Sequence, residues 1–370
     1  MPPVPYHTGK FPPTALNYER LVPLIGPASA AIARYEGLLH AVPNASVLLS
    51  PLTTQEAVLS SRIEGTQATF GEVLEFEASE EAANGDKFND IQEILQYRAA
   101  LREAAAGMST IPLSLRLMRD AHRVLMQGVR GENKSPGEYR RIPNWIGKPG
   151  FDHDQARFLP PSANQIPKLM SAWEQFLRAD APDQLVQLAV LHVEFEAIHP
   201  FLDGNGRLGR LLVPLFLVDK GLLSGPHFYI SAYLEANRDE YYDRLLAVSR
   251  DDDWTGWCEF FLKAIVKQAE SNERKARAIL DLYREKKDWI AKLTRSQYAV
   301  RALDWFFERP VFRATDLART SDIPPSTAQR ILREVREAGL LAEVVPASGR
   351  RPAILALTSL LNIAEGRPVF

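Results

Sequence analysis

Cysteine is almost absent from this 370-residue chain. Cys258 stands alone, which excludes an internal disulfide or a cysteine-based zinc cage and fits a reducing cytoplasm. Excess charge is nearly absent too: 44 Lys and Arg stand against 46 Asp and Glu, a formal net charge of -2. This argues against a generally basic nucleic-acid binder but does not exclude a local basic patch. Long apolar runs are also missing. The longest, Leu211 to Val218, falls far short of the roughly 20 residues that a membrane-spanning helix requires, so no membrane contact is expected. The N-terminus, Met1 to Pro13, mixes prolines and polar residues where a signal peptide needs a continuous apolar stretch. It is expected to be an irregular arm on a cytoplasmic protein. No repeat of solenoid length is evident.

What is present suits a folded protein with more than one core. Apolar residues make up 46% and charged residues 24%, ordinary for globular domains, and the length exceeds what a single core usually supports. From Leu21 to about Met126 apolar residues recur at three- and four-residue spacings, as in Ile91, Leu95, Ala99 and Leu101, which predicts helices. Glu77 to Asn89 is acidic and polar, a surface loop or frayed helix end. Pro136 to Pro161 breaks the period: Ile142, Trp145, Ile146, Phe158 and Leu159 form strand-like islands around Gly147, Pro149 and Gly150, which predicts a hairpin. Helical spacing resumes at Ile166–Arg178 and Gln184–Ile198, restarts at Leu208 and runs to Asp219. Further helices are expected at Glu240–Val248, at Trp254–Val266 and, as a connector, at Lys267–Lys292. After Thr294 the rhythm changes to helix, short helix, turn at Ser321–Pro324, second helix Ser326–Ala338, and two strand-like runs around a polar tip, Leu341–Val345 and Ala353–Leu357. That is a winged-helix pattern. The expected division is 1–90, 91–266, 267–293 and 294–370.

The chemistry concentrates between two helical stretches, in His199-Pro-Phe-Leu-Asp203-Gly-Asn-Gly-Arg207-Leu-Gly-Arg210. Gly204 and Gly206 flank Asn205, so that successive main-chain amides can form an anion-binding nest leading into a helix. Arg207 and Arg210 lie three apart in the first turn of that helix, where positive charge opposes the helix dipole by up to about 1 kcal/mol each. A bound phosphate removes that conflict, and guanidinium groups suit phosphate. Asp203 supplies a hard oxygen suited to Mg²⁺. His199 offers an imidazole able to take a proton near neutral pH. These are the parts of phosphoryl transfer.

The twelve residues His-Pro-Phe-x-Asp-Gly-Asn-Gly-Arg-x-x-Arg resemble the full signature of the Fic family of AMP-transferring enzymes, over about Ile91 to Val266. The resemblance implies a mainly α fold, a Fic-type helical bundle with a β-hairpin flap at Arg140–Pro161 that aligns a target segment by strand pairing. It implies Mg²⁺ as cofactor and ATP as substrate. His199 would deprotonate a Ser, Thr or Tyr hydroxyl of a target protein or of the chain itself, and Asp203 would hold the metal. Gly204, Asn205, Gly206, Arg207, Leu208, Gly209 and Arg210 would bind the triphosphate, with Tyr242 beside the nucleoside.

A second unfavourable charge sits upstream. Ser60-Ser-Arg-Ile-Glu64-Gly65 ends a helical stretch from about Thr54, with Gly65 at the C′ position, so Glu64 lies at the negative end of its helix. The segment resembles the Fic family's inhibitory motif. By that resemblance Ser60 and Glu64 belong to the switch: Glu64 pairs with Arg210, stands in the γ-phosphate place and keeps the enzyme off. In the C-terminal segment, Gln329, Arg330, Arg333 and Arg336 on the second helix and Arg350 and Arg351 at the tip could reach DNA, while Glu334, Glu337 and Glu343 dilute the charge. Two other readings stay open: a nucleotide-sensing winged-helix regulator that binds DNA, and a Fic enzyme that removes AMP or moves another phosphate-containing group. A homodimer also stays open.

Overall fold

The computed structural model describes residues 2–79, 85–147 and 153–370 and is mostly helical. A short strand β1 (Val4–Pro5) precedes helices α1 (Tyr18–Leu39), α2 (Ala45–Leu48), α3 (Ser50–Ile63), α4 (Phe70–Ser79), α5 (Asp86–Gly107) and α6 (Leu115–Leu125). Strand β2 (Phe158–Leu159) leads into α7 (Ile166–Arg178), α8 (Gln184–Ile198), α9 (Asn205–Asp219), α10 (Ser231–Ala236), α11 (Arg238–Asp251) and the long α12 (Trp254–Thr294). The C-terminal segment carries α13 (Ala299–Glu308), β3 (Val311–Arg313), α14 (Asp316–Thr320), α15 (Pro325–Glu337), β4 (Ala342–Val345), β5 (Ile354–Ala356) and α16 (Thr358–Glu365). The chain divides into two units, one of Met1–Glu36, Leu59–Gly65 and Leu95–Glu270, the other of Gly37–Val58, Thr66–Ile94 and Ser271–Phe370.

In the first unit α8 is the central rod. Every residue in it except Gln184 and Glu196 is buried, the pattern of a helix covered on all sides. The Asp183 side chain starts it by accepting from Val186 N at 2.9 Å. Two indoles fix its main chain from outside, Trp173 donating to the Leu191 carbonyl at 2.8 Å and Trp257 to that of Ala189 at 2.7 Å. It ends at His199, held left-handed at φ 49° and ψ 61°. Pro200 follows, and its ring cannot continue a helix.

Helix α9 begins at Asn205, earlier than the apolar spacing predicts. Glycines depress helix propensity and mask the first turns in sequence. Here they leave room for carboxylates: a Cβ on Gly206 would displace Oε1 of Glu64, and one on Gly209 that of Glu196. Likewise α12 is one continuous helix where separate core and connector helices are expected; its polar second half simply extends the first.

The N-terminal arm is more ordered than expected. Val4 N and Tyr6 N donate to the carbonyls of Arg157 and Leu159, so β1 pairs in parallel with β2. Tyr6 Oη donates to Glu194 Oε1 at 2.6 Å, and His7 Nε2 meets Glu194 Oε2 at 2.7 Å. These buried partners, invisible in the local pattern, give the arm its order. The expected hairpin is reduced, among the described residues, to β2 and a single antiparallel bridge between Ile146 and Phe158. Pro149 and Gly150 lie outside the described residues.

In the second unit β3, β5 and β4 form an antiparallel sheet in that order, with Phe312 opposite Leu355. The ring of Phe312 stacks on Phe306 of α13 at 5.5 Å. Helix α4 packs on β3, and Arg313 donates to the carbonyls of Ala78 and Ser79. The strand β3 and helix α16 add to the elements expected from the sequence. No described helix is long and apolar enough to cross a membrane.

Candidate active site

The loop from His199 to Gly204 is closed by its own side chains. Asn205 Oδ1 accepts from Phe201 N and Asn205 Nδ2 donates to Phe201 O, each at 2.9 Å. The Asn205 side chain thus holds the turn, and what it offers an anion is its main-chain amide. Gly204, at φ 75°, caps α9 in the left-handed region that glycine adopts without strain. The amides of the first turn of α9 have no intrahelical acceptors. They and the helix dipole make this end attractive to an anion.

An anion is already there. Glu64, just beyond the end of α3 and followed by Gly65 at φ 105°, reaches over the first turn of α9. Arg210 Nη2 donates to Glu64 Oε1 at 2.6 Å and to the Ser60 carbonyl at 2.9 Å, while Arg210 Nε donates to Ser60 Oγ at 2.9 Å. The guanidinium is 1% exposed and the carboxylate 37%. Burial pushes the Glu64 carboxyl up, but Arg210, with Arg207 and His199, outweighs this and leaves it below its usual range. The sequence-predicted pair therefore meets, and Ser60 joins it.

His199 sits beside this cluster. Its Nδ1 lies 3.3 Å from the Glu196 carbonyl; a carbonyl only accepts, so Nδ1 carries the proton and Nε2 keeps its lone pair. Burial lowers the ring to about 4, which leaves it neutral at physiological pH. Asp203 Oδ1 accepts from Gly204 N at 2.7 Å and Oδ2 from Lys134 Nζ at 2.7 Å, with Arg207 Nη2 at 3.6 Å. Burial raises the Asp203 carboxyl, but Lys134 and Arg207 prevail and it stays ionised. Lys134 stands where a cation is wanted. The described residues contain no cluster of three or more His, Cys, Asp or Glu side chains, so no all-protein metal cage exists among them. A single partly exposed carboxylate next to a phosphate-sized nest does fit Mg²⁺, which keeps waters and takes most of its oxygens from substrate phosphates. Leu208 is buried in the core. Tyr242 Oη lies 3.4 Å from the Ile63 carbonyl, at the edge of the Glu64 cluster, whereas Tyr241 is buried against His192.

Four residues that support the site escape sequence reasoning. His122 Nε2 donates to the Asp203 carbonyl at 2.9 Å, Nδ1 accepts from Gly137 N at 2.8 Å, and the ring stacks on Phe201 at 3.8 Å. Burial lowers it to about 4, so this neutral tautomer persists. Arg140 and Asn144 join the flap root to the loop, and Glu196 lies against Gly209 with Oε1 buried and unpartnered. Burial raises the Glu196 carboxyl to about 8. Only the singly placed His122 on a helix face carried any signal, and it is the signal of an ordinary core histidine.

With this geometry in view, comparison places the chain among known proteins. Family models described as Fic/DOC family N-terminal and Fic/DOC family match residues 22–106 and 112–217. The chain belongs to the Fic/DOC family. It is 41% identical over 86 residues, 22% of its length, to an Aquifex aeolicus protein named "Probable protein adenylyltransferase", of which the match covers 27%. It is 27% identical over 195 residues, 51% of its length, to the protein adenylyltransferase Fic of Culex quinquefasciatus, of which the match covers 36%. The chain thus spans about a third of the length of these curated relatives. A crystal structure of a Fic family protein from Desulfovibrio desulfuricans shares the fold at a TM-score of 0.59 and 22% identity, covering 94% of this chain and 98% of that one.

Proposed function

We infer that this Fic/DOC protein transfers AMP from ATP to a protein hydroxyl and that Glu64 holds it inactive. The observation that carries the reading is the convergence on one turn of a neutral imidazole, a helix N-terminus, the Asp203 carboxylate and the buried Arg210. The names of the curated relatives support the reaction class.

In the proposed reaction the hydroxyl oxygen forms a bond to the α-phosphorus of ATP, the bond from that phosphorus to the bridging oxygen breaks, and pyrophosphate leaves. His199 Nε2 takes the hydroxyl proton, with Nδ1 anchored to Glu196 O so that Nε2 keeps its lone pair. The first-turn amides of α9, Arg207 and Arg210 hold phosphate oxygens. Asp203 would hold Mg²⁺, which would supply positive charge against the phosphates. Because Glu64 lies over Gly206 and satisfies Arg210, it competes for the ground a terminal phosphate needs.

Intact-mass measurement of the full chain after incubation with ATP and Mg²⁺ tests this. Glu64→Gly is expected to gain the mass of one AMP, and adding His199→Ala to abolish the gain. A gain that survives loss of the imidazole, or no gain at all, rejects the reading.

The cations that would have to reach duplex DNA do not favour that alternative. Arg330 donates to Glu334 and to the Thr294 carbonyl, and Arg336 to Glu343, so two of the candidate cations already have partners inside the unit.

A further inference from the structure

Arg140 is 2% exposed, yet among the described residues every hydrogen-bond acceptor it meets is a main-chain carbonyl. Its Nε donates to His199 O at 2.9 Å. Its Nη1 donates to Ile142 O at 3.2 Å, and its Nη2 to Pro161 O at 2.5 Å, with Ile198 O at 3.5 Å. Its own amide donates to Pro200 O at 2.9 Å. Asn144, four residues on, donates to Phe201 O at 3.3 Å. Three consecutive carbonyls of the loop, His199, Pro200 and Phe201, are thereby bound by donors from the flap root.

The chemistry of this arrangement is specific. The carbonyls of Ile198 and His199 are orphan acceptors at the negative end of α8, where a cation is favoured. A left-handed histidine is strained, because its Cβ crowds the following carbonyl. A guanidinium on that carbonyl holds the strained turn from outside. The planar fork of Arg140 then spans to Ile142 O and Pro161 O, the two ends of the flap, which a point-charge ammonium cannot do. Arg140 touches neither the first turn of α9 nor Arg210.

We propose that Arg140 is a positioning residue, which locks the flap root, with its Ile146–Phe158 bridge, and the left-handed turn at His199 into one frame, so that the bridge and the imidazole keep a fixed mutual geometry. This deepens the transferase reading and rests on it for its catalytic consequence. The structural part stands without it.

The test uses the full chain carrying Glu64→Gly, with Arg140→Lys and Arg140→Met added separately. Amide hydrogen exchange is expected to accelerate at least about tenfold in both variants at Ile146 and Phe158 and, together with them, around His199–Phe201, with the amides of Leu208–Leu212 unchanged. In self-transfer, kcat is expected to fall on the order of a hundredfold, the scale of a displacement of about 1 Å between reacting groups. Mg-ATP affinity by calorimetry stays within about twofold, since no nucleotide-binding group is touched. Exchange that changes on one side only, or not at all, overturns the proposal. So does a loss of nucleotide affinity in step with kcat, the mark of general unfolding. If Arg140→Met does not fold, the lysine variant decides. If the Glu64→Gly parent transfers nothing, the transferase reading fails, and the paired exchange result alone decides whether Arg140 couples the two segments.

Discussion

Glu64 Oε1 lies 2.6 Å from Arg210 Nη2 and directly over Gly206, although 146 residues separate the two side chains in sequence. Each charge needs a partner: the carboxylate follows the negative end of α3, where the dipole disfavours it, and Arg210, in the second turn of α9 rather than the first, is buried. Bringing them together answers both needs at once. On the proposed reading it also puts an anion on the ground where phosphate oxygens would bind, which would make the pair an obstacle as well as a contact.

Replacing that carboxylate separates the two roles. Glu64→Gly should raise AMP incorporation at least about tenfold, equivalent to about 1.4 kcal/mol, because Arg210 keeps its Ser60 contacts and becomes available to phosphate. Glu64→Gln, which keeps the volume and loses the charge, should fall between. Labelled-ATP incorporation compared across the three proteins is the check; equal rates would show that the contact does not restrain the reaction.

The acid limb of the reaction follows from His199. In the proposed mechanism its neutral form is the base, and burial holds the ring near 4, below its ordinary 6.5. Activity should therefore be flat from about pH 6 to 8 and decline only as pH falls toward 4. Losing Glu64 removes a charge that favours the protonated ring, so the limb in Glu64→Gly should lie no higher. A rate profile rising through pH 6.5 would mean that the ring titrates as if solvated.

His122 makes a prediction about metal rather than proton. Its ring fixes the Asp203 carbonyl and the Gly137 amide, so His122→Ala leaves one buried and one half-buried polar group without their partner at a cost of about 2 kcal/mol. The Mg²⁺ concentration for half-maximal transfer should rise about tenfold, as when a residue orienting a metal ligand is lost. Thermal melting with a Mg²⁺ titration measures both. A melting shift with unaltered Mg²⁺ dependence would leave His122 a packing residue only.

Legibility in the sequence tracked how local the causes were. The loop from His199 to Arg210 could be read because its glycines and its charges at a helix start conflict with helix physics in adjacent residues. Glu64 could be read for the same reason. Arg140 could not: in sequence it is one arginine before another, and its carbonyl acceptors lie up to 59 residues away. The arm at Tyr6 and His7 was unreadable likewise, since its order depends on Glu194 far along the chain. The first turn of α9 was missed for a different reason: Gly206 and Gly209 lower helix propensity but leave space for Glu64 and Glu196.

Glu196 offers a stability test independent of catalysis. Burial raises its carboxyl to about 8 from an ordinary 4.5, so between those values the folded protein keeps a proton that the unfolded chain has lost. Bound protons then favour the folded state at low pH, and this contribution diminishes as pH rises from about 4.5, levelling off above about 8. Glu196→Gln cannot ionise and should escape the decline. Near pH 5 the two proteins should differ little in urea denaturation. At pH 9 the glutamine variant should be more stable by on the order of 2–3 kcal/mol, since each unit is about 1.4 kcal/mol and the carboxyl is only partly enclosed. A gap that stays constant across this range would mean that Glu196 ionises as an ordinary surface acid, and that Arg210 has a second carboxylate beside it at neutral pH.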